Sequence, residues 1–500
     1  VSIPDTRIAV PREKAAVPRP GAVFAVVAAG VAMSNLDVFI VNVALPQIGE
    51  RFASASLSSL SWVLNAYAVV FAALLVPAGR FADRTGPRRA YLVGIGVFTV
   101  ASAACAAAPD VWSLVAARAV QAAGAALAMP SSLGLLLAAA PADRRVPMVR
   151  AWTAISGLAA ALGPVAGGLL TELDWRWVFL VNVPVGVAVL LWGPRLLPRP
   201  ATATPGGAAP SKAVLRGTAP AGAAPGGAGF IDREAGGEKG GRSDLVGAAA
   251  LTAGVAALAL GVVKSDDWGW GSGEVVGALV AALVLLVAFM YRSARHPAPV
   301  LPLPLFRVAG FGPGALANVI FAVAFAAMLL SAVLWCQQVW HWSALRTGLA
   351  VAPGPLMVPA LAVGVGPVVR RLGAGPVAAV GCLAFAGGIA WWAWRMAPDA
   401  GYAAGMLPGM LLTGIGVGVT LPTLIGASVA ALPPHSFATG SGVLTMARQI
   451  GTVLGIAMLV AALGTTPGDV GAFDDGWLLT LGATAAATAA CLFVRRPRVR

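Results

Sequence analysis

Asp37 stands in "SNLDVFIVNVALP" (residues 34–46), within an apolar run long enough to cross a bilayer, and it is the one acidic residue of twenty that the hydropathy pattern puts inside a span. A charged side chain at such depth costs at least ~2.5 kcal/mol on insertion scales, so it is ordinarily held by a partner and kept for function. Arg118 is a plausible partner. It falls inside another apolar run, and at 1.5 Å per helical residue the two lie roughly 12 and 10 Å from the same membrane face. Two readings of the pair stay open: a permanent structural ion pair, or a proton-coupling pair. Burial raises a carboxylate's proton affinity and a nearby guanidinium lowers it, so a conformational change that makes or breaks the pair can carry a proton. One proton falling through 100 mV supplies ~2.3 kcal/mol, and one pH unit adds ~1.4 kcal/mol. ATP coupling is not expected, since no G-x-x-x-x-G-K-[ST] stretch occurs. Apart from the proton as coupling ion, no cofactor is expected, and no His/Cys cluster suggests a metal.

The elements that position this pair follow from composition. Of the 500 residues, 58% are of the AVILMFWYC set and 11% are charged, with a mean hydropathy of +0.83. A soluble chain could not hide that much apolar surface, and runs of about 17 to 25 apolar residues recur along the whole length. The expectation is an all-α polytopic membrane protein with fourteen spans, near 22–45, 60–79, 90–108, 111–138, 149–170, 175–192, 245–263, 275–291, 312–334, 347–369, 377–394, 403–427, 440–462 and 477–494. The net charge of +14 invites a nucleic-acid reading, but the basic residues lie between spans. With the N-terminus inside, 27 of the 34 Lys/Arg fall in cytoplasmic segments and five in external ones, which predicts that both termini are cytoplasmic. Trp112, Trp175, Trp177, Trp268, Trp270, Trp340, Trp342 and Trp477 collect at the external ends, as an aromatic belt does. Cys105, Cys336, Cys382 and Cys491 show no paired spacing and read as core residues. The first run reads as a spanning helix, not a cleaved leader.

An internal repeat is visible. "GAALAMPSSLGLLLAAAP" (124–141) and "GVGVTLPTLIGASVAALP" (416–433) share Gly, Pro, Gly and Pro at an offset of 292, and the same offset puts Gly163 on Gly455. Eight spans separate the copies, so the repeats run parallel, an architecture of secondary transporters with the substrate site between the halves. The expected domains are a six-helix bundle with its tail (1–192), a flexible cytoplasmic Pro/Gly/Ala linker (193–243), an inserted helix pair with the following loop (244–311) and a second six-helix bundle with a basic tail (312–500).

Between spans two and three lies "GRFADRTGPRR" (79–89). Its glycines allow a tight turn, and Asp83 can cap a helix or hold an arginine. Gly79, Asp83, Arg84, Gly86, Arg88 and Arg89 match the pattern G-x-x-x-D-R-x-G-x-R-R, and here the chain resembles the major facilitator superfamily. That resemblance implies a charged latch closing the cytoplasmic side. The corresponding loop of the second half, "GPVVRRLGAGP" (366–376), has Arg370 where the aspartate would be and lacks the same latch. "LDVFIVNVALP", "RAVQAAGAA" (118–126), "GLAAALGPVAGG" (157–168) and "WRWVFLVNVP" (175–184) look like signatures of the fourteen-helix drug/proton antiporter branch. The fifth-span motif, with Gly157, Gly163, Pro164, Gly167 and Gly168, also has a plain physical reading: small residues four apart let helices approach closely, and proline bends the helix. Packing and a role in preventing leak both remain open.

With one membrane carboxylate, the cavity is poorly suited to a dication, so a neutral or singly charged amphipathic substrate is expected. Asn35, Asn42, Asn65, Tyr67, Gln121, Gln337 and Gln338 are the candidate cavity residues. Arg448 reads either as a snorkelling arginine or as a gating group. Together with the resemblance, these features imply proton-coupled efflux of drugs or antibiotics from a bacterial cell, by a monomer in the plasma membrane whose partners are lipid and a small-molecule substrate. Proton-coupled uptake is the rival, a non-transporting membrane sensor is a weaker one, and an enzyme is not expected.

Overall fold

Within lipid every backbone N–H and C=O must find its partner inside the segment, which makes helices of the long apolar runs. The computed structural model describes residues 20–52, 55–139, 145–198, 244–399, 401–432, 437–464 and 468–494, and the tails and most of the expected linker, 199–243, lie outside them. The chain runs through α1 (Pro20–Arg51), α2 (Leu57–Thr85), α3 (Pro87–Ala106), α4 (Val111–Ala139), α5 (Arg145–Leu173), α6 (Trp177–Leu180) and α7 (Asn182–Leu196). Next come α8 (Leu245–Val263), the one-turn α9 (Ser265–Trp268) and α10 (Gly273–Arg295). Then follow α11 (Phe311–Leu334), α12 (Ala344–Val351), α13 (Pro353–Gly364), α14 (Gly366–Leu372), α15 (Ala374–Arg395), α16 (Leu407–Ala430), α17 (Phe437–Leu463) and α18 (Val470–Leu492). Among the described residues, twelve helical stretches are long and apolar enough to cross a membrane. The 29-residue α5 and the 23-residue α18 fall outside that set.

Two expectations are corrected. The tenth expected span is present as an apolar stretch over Ala344–Ala362, but it is not one uninterrupted helix: breaks at Ala352 and Val365 divide 344–372 into α12 to α14, because Pro353 and Pro367 lack the N–H that would continue the ladder and crowd the preceding turn. The first span continues past Pro46 to Arg51, which leaves Asp37 fourteen residues from the helix end, not the eight inferred from hydropathy.

The connections fall into two sets. Phe52 meets Trp175 edge to face, Arg176 Nε donates to the Ala106 carbonyl, and Trp340 Nε1 donates to that of Ala397. These contacts gather the α1–α2, α3–α4, α5–α6, α11–α12 and α15–α16 connections at one end of the bundle, the α1–α2 end. At the other, the α2–α3 end, Arg88 Nη2 donates to the carbonyl of Pro194 near the end of α7.

The repeat is three-dimensional. A Cβ on Gly124 of α4 would lie 2.6 Å from the Phe98 nitrogen and 2.7 Å from the Gly94 oxygen of α3. On Gly416 of α16 it would lie 2.5 Å from Phe385 Cβ and 2.8 Å from the Gly381 oxygen of α15. Gly163 packs α5 on α1 at Phe39, and Gly455 packs α17 on α11 at Val323. The halves meet where α2 lies along α17 and where α5 lies along α12 and α13. Outside the first of these seams α8 packs on both α2 and α17, and α10 packs on α8, with Asp244 joined to Arg292 at 2.5 Å. Val276, Val280, Leu283, Val284 and Val287 of α10 are exposed apolar side chains, as a lipid-facing surface requires.

Candidate functional site

Asp37 sits in the middle of α1, where two neighbouring polar side chains are satisfied within the helix: Asn35 Nδ2 donates to the Val31 carbonyl and Asn42 Nδ2 to that of Val38. Asp37 points away into the first half. Arg118 and Gln121, three apart on α4, share a helix face and arrive together. Arg118 Nη1 donates to Asp37 Oδ2 at 2.5 Å and to Gln121 Oε1 at 2.6 Å. Gln121 Nε2 donates to Asp37 Oδ1 at 2.9 Å and to Ser102 Oγ at 2.8 Å, and Asn182 Nδ2 from the first turn of α7 donates to Oδ1 at 2.8 Å. The guanidinium is further held by the Val63 carbonyl, at 3.1 Å from Nε, and lies 4.3 Å over the Tyr67 ring.

The network is dry. Asp37, Gln121 and Ser102 are 0% exposed and Arg118 and Asn182 are 1% exposed. A buried pair of this kind gains little over an apolar replacement, yet breaking it by removing one partner costs about 3–5 kcal/mol. The pair therefore ties α1 to α4 and α7 through a single carboxylate.

The remaining candidates divide. Gln121 and Tyr67 belong to the Asp37 network and not to an open cavity, and Asn65 is fully buried with neither side-chain atom hydrogen-bonded. The hydropathy pattern marks a polar residue's depth but not whether its face meets a void or a neighbouring helix. Gln337 and Gln338 do line a cavity, of about 490 Å³, between Leu45, Pro46 and Glu50 of the first half and Trp342 of the second, at the α1–α2 end. Gln337 Nε2 also reaches the Val43 carbonyl at 3.0 Å. Asn182 and Ser102 were missed. The signal for Asn182 was present, since it is the only strongly polar side chain in the apolar stretch 177–191.

In the latch segment Gly86 has φ +89°, the positive value that a glycine permits, and ends α2 one residue before Pro87 opens α3. Gly79 lies 3.8 Å, measured from a built Cβ, from Pro130 of α4. Arg84 and Arg89 are exposed. Arg88 bonds within its own half, to Pro194. The Asp83 side chain lies outside the described ones.

The glycines of α5 serve two faces. Gly163 and Gly167 admit Phe39, Ile40 and Val43 of α1, the Ile40 oxygen lying 2.9 Å from a built Cβ on Gly167. Pro164 and Gly168 face the second half: the Pro164 carbonyl abuts Gly348 of α12, and Leu345 Cα would lie 2.6 Å from a Cβ on Gly168. Gly157 faces Pro359 of α13. One helix thus touches both the α1 segment that carries Asp37 and the other half.

Two repeated helical bundles that meet along paired seams, with one ion pair sealed inside the first, define a transporter-type membrane protein. The sequence family described as the Major Facilitator Superfamily matches residues 27–221 and again 212–456, and the chain belongs to that family. It is 34% identical over 439 residues to the cephamycin export protein of Amycolatopsis lactamdurans, covering 86% of this chain and 82% of that protein. It is 31% identical to the tetracenomycin C resistance and export protein of Streptomyces glaucescens, covering 92% and 78%. Among solved structures, a D-xylose–proton symporter superposes with a TM-score of 0.62 at 13% identity over 95% of this chain and 97% of that one, a likeness of fold alone.

Proposed function

We propose that this membrane transporter exports hydrophobic or amphipathic drugs or antibiotics from a bacterial cell in exchange for protons, by alternating access. The export reading is supported by relatives whose names describe export and resistance. The observation that carries the proton reading is the sealed Asp37–Arg118 pair on the helix that backs onto α5. Protonation of Asp37 removes the charge that holds Arg118, Gln121 and Asn182 to α1 and frees α1 to shift against α4 and α7. Phe39 and Ile40, two and three residues on, press on Gly163 and Gly167, so the shift reaches α5 and, through Pro164 and Gly168, the second half. A membrane potential of 100 mV and one pH unit together supply roughly 3.7 kcal/mol per proton, enough for a gradient of several hundredfold in an uncharged cargo.

In this reading α5 and α18 also cross, giving fourteen spans, and the α2–α3 end is cytoplasmic, because 27 of 34 Lys/Arg belong to segments on that side. The latch residues at 79–89 then close the cytoplasmic side, and the transporter works as a monomer. The test is proton flux in proteoliposomes under an imposed pH gradient on addition of lipophilic drugs, comparing wild type with Asp37→Asn. Drug-dependent flux that vanishes in a folded, drug-binding variant supports the proposal. Unchanged flux in the variant makes the pair structural, and no flux in the wild type with any drug removes the export reading.

A further inference from the structure

Three charged side chains lie deep in the helical core among the described residues: Asp37, Arg118 and Arg448. The first two hold each other. Arg448 is the twelfth residue of the 27-residue α17, and its guanidinium makes no hydrogen bond or ion pair with any described residue. Among the described residues, the only carboxylate at comparable depth already accepts from three side chains.

The surroundings of Arg448 are accessible and polar on one side. Ser441, Thr445, Arg448 and Thr452 recur at helical spacing along one face of α17. Ser441 is exposed and the other three are partly exposed. Farther along the same face Ile456, Leu459 and Leu463 are buried and apolar. This face is therefore open from the α2–α3 end as far as Thr452 and closed beyond it. It lies between the face of α17 that packs on α11 through Gly451 and Gly455 and the one that meets Val76 of α2 through Gly442. The other flank between those two contacts carries the apolar Ile450, Leu454 and Ala461, so Ser441, Thr445, Arg448 and Thr452 of α17 are gathered on one flank. Thr445 and Thr452 spend their hydroxyl protons on the carbonyls of Ser441 and Arg448, and their oxygens leave the guanidinium without an anion.

An unpaired arginine at this depth is costly and marks a substrate or ion path. Its planar fork matches a carboxylate in two parallel hydrogen bonds. We infer that Arg448 is the anchor for the anionic group of the cargo, and that the transported class is an amphipathic monocarboxylate whose apolar body lies along the boundary between the halves. The inference rests on the export reading and narrows it from neutral or singly charged compounds to acids.

The test is equilibrium binding to the full chain in phosphatidylcholine nanodiscs, with 1-pyrenebutyrate and its methyl ester as matched probes. The expected result is that wild type prefers the acid by about tenfold, as one charge-assisted pair in a partly wet site provides. The preference should fall to near unity in Arg448→Gln and survive in part in Arg448→Lys, which keeps the charge and loses the fork. A wild type without preference overturns the inference, as does a preference that survives in Arg448→Gln. So does a wild-type preference abolished by adding phosphatidylglycerol, which would make a lipid headgroup the occupant. Binding needs no gradient, so the two readings separate. Arg448-dependent preference without drug-driven proton flux keeps the anion site and removes export, whereas Asp37-dependent flux without preference keeps export and removes the anion site.

Discussion

The carbonyl of Pro164 in α5 abuts Gly348 in α12, so the two halves of the transporter touch backbone to backbone at that point. No side chain larger than hydrogen fits at residue 348 without moving one half. Gly348→Ala should therefore hold the halves apart at the α1–α2 end and lower the transport rate by about tenfold or more while binding is retained, since overpacking of this kind costs typically ~1–3 kcal/mol. Cysteines placed at Glu172 and Leu345, where the Leu345 nitrogen now donates to Glu172 Oε1 at 3.2 Å, would report the change. Their cross-linking should fall in the alanine variant, and undiminished cross-linking would refute the wedge.

The Asp37–Arg118 pair makes a prediction about stability as well as flux. Asp37→Asn leaves a buried guanidinium uncompensated and should destabilise the protein by about 3–5 kcal/mol, and Arg118→Gln should do the same to the carboxylate. The double variant has no orphaned charge and should lose less than the sum of the singles, with a coupling energy of roughly 1–3 kcal/mol. Thermal unfolding of the four proteins in one detergent measures it. Additive losses would mean that the pair is not coupled.

Asn182 separates the carboxylate's support from its charge partner. Asn182→Leu removes one of the two donors to Oδ1 and leaves Arg118 in place. The expected loss is about 1–3 kcal/mol, that of a hydrogen bond to a buried charged group. Drug-driven proton flux per drug molecule should fall by more than drug binding does. Equal losses in both would make Asn182 a packing residue only.

Much of this arrangement was legible in the sequence because lipid leaves few choices. Apolar runs must be helices, and a charge within one must find a partner, which singles out Asp37 and Arg118 without coordinates. What was not legible depended on which way a side chain faces. Gln121 and Asn182 bracket the same carboxylate oxygen from helices 61 residues apart in sequence, and no periodicity links them. Gly163 and Pro164 are neighbours in the chain yet serve opposite halves, because successive helical residues point about 100° apart. Helix ends were also misjudged where proline intervened. Pro46 leaves α1 intact to Arg51, whereas Pro353 divides the tenth expected span, and the residue type alone does not distinguish the two outcomes.

The repeated glycines provide the sharpest contrast between pattern and contact. Sequence alignment of the halves gives Gly124 and Gly416 the same rank as Gly134 and Gly426. In the structure the first pair seats two helices on each other, whereas a Cβ on Gly134 would be 3.6 Å from Pro87 and one on Gly426 would meet nothing within 4 Å. Gly124→Ala and Gly416→Ala should each drive apart a helix pair, α3 from α4 and α15 from α16, at a cost of about 1–3 kcal/mol. Gly426→Ala should be neutral or stabilising by up to about 1 kcal/mol, because the methyl group fills open space and alanine favours helix over glycine. Thermal unfolding of the three variants decides the matter. Equal losses in all three would mean that the repeat preserves backbone flexibility at every glycine; a loss confined to the first two would mean that it preserves the close approach of paired helices.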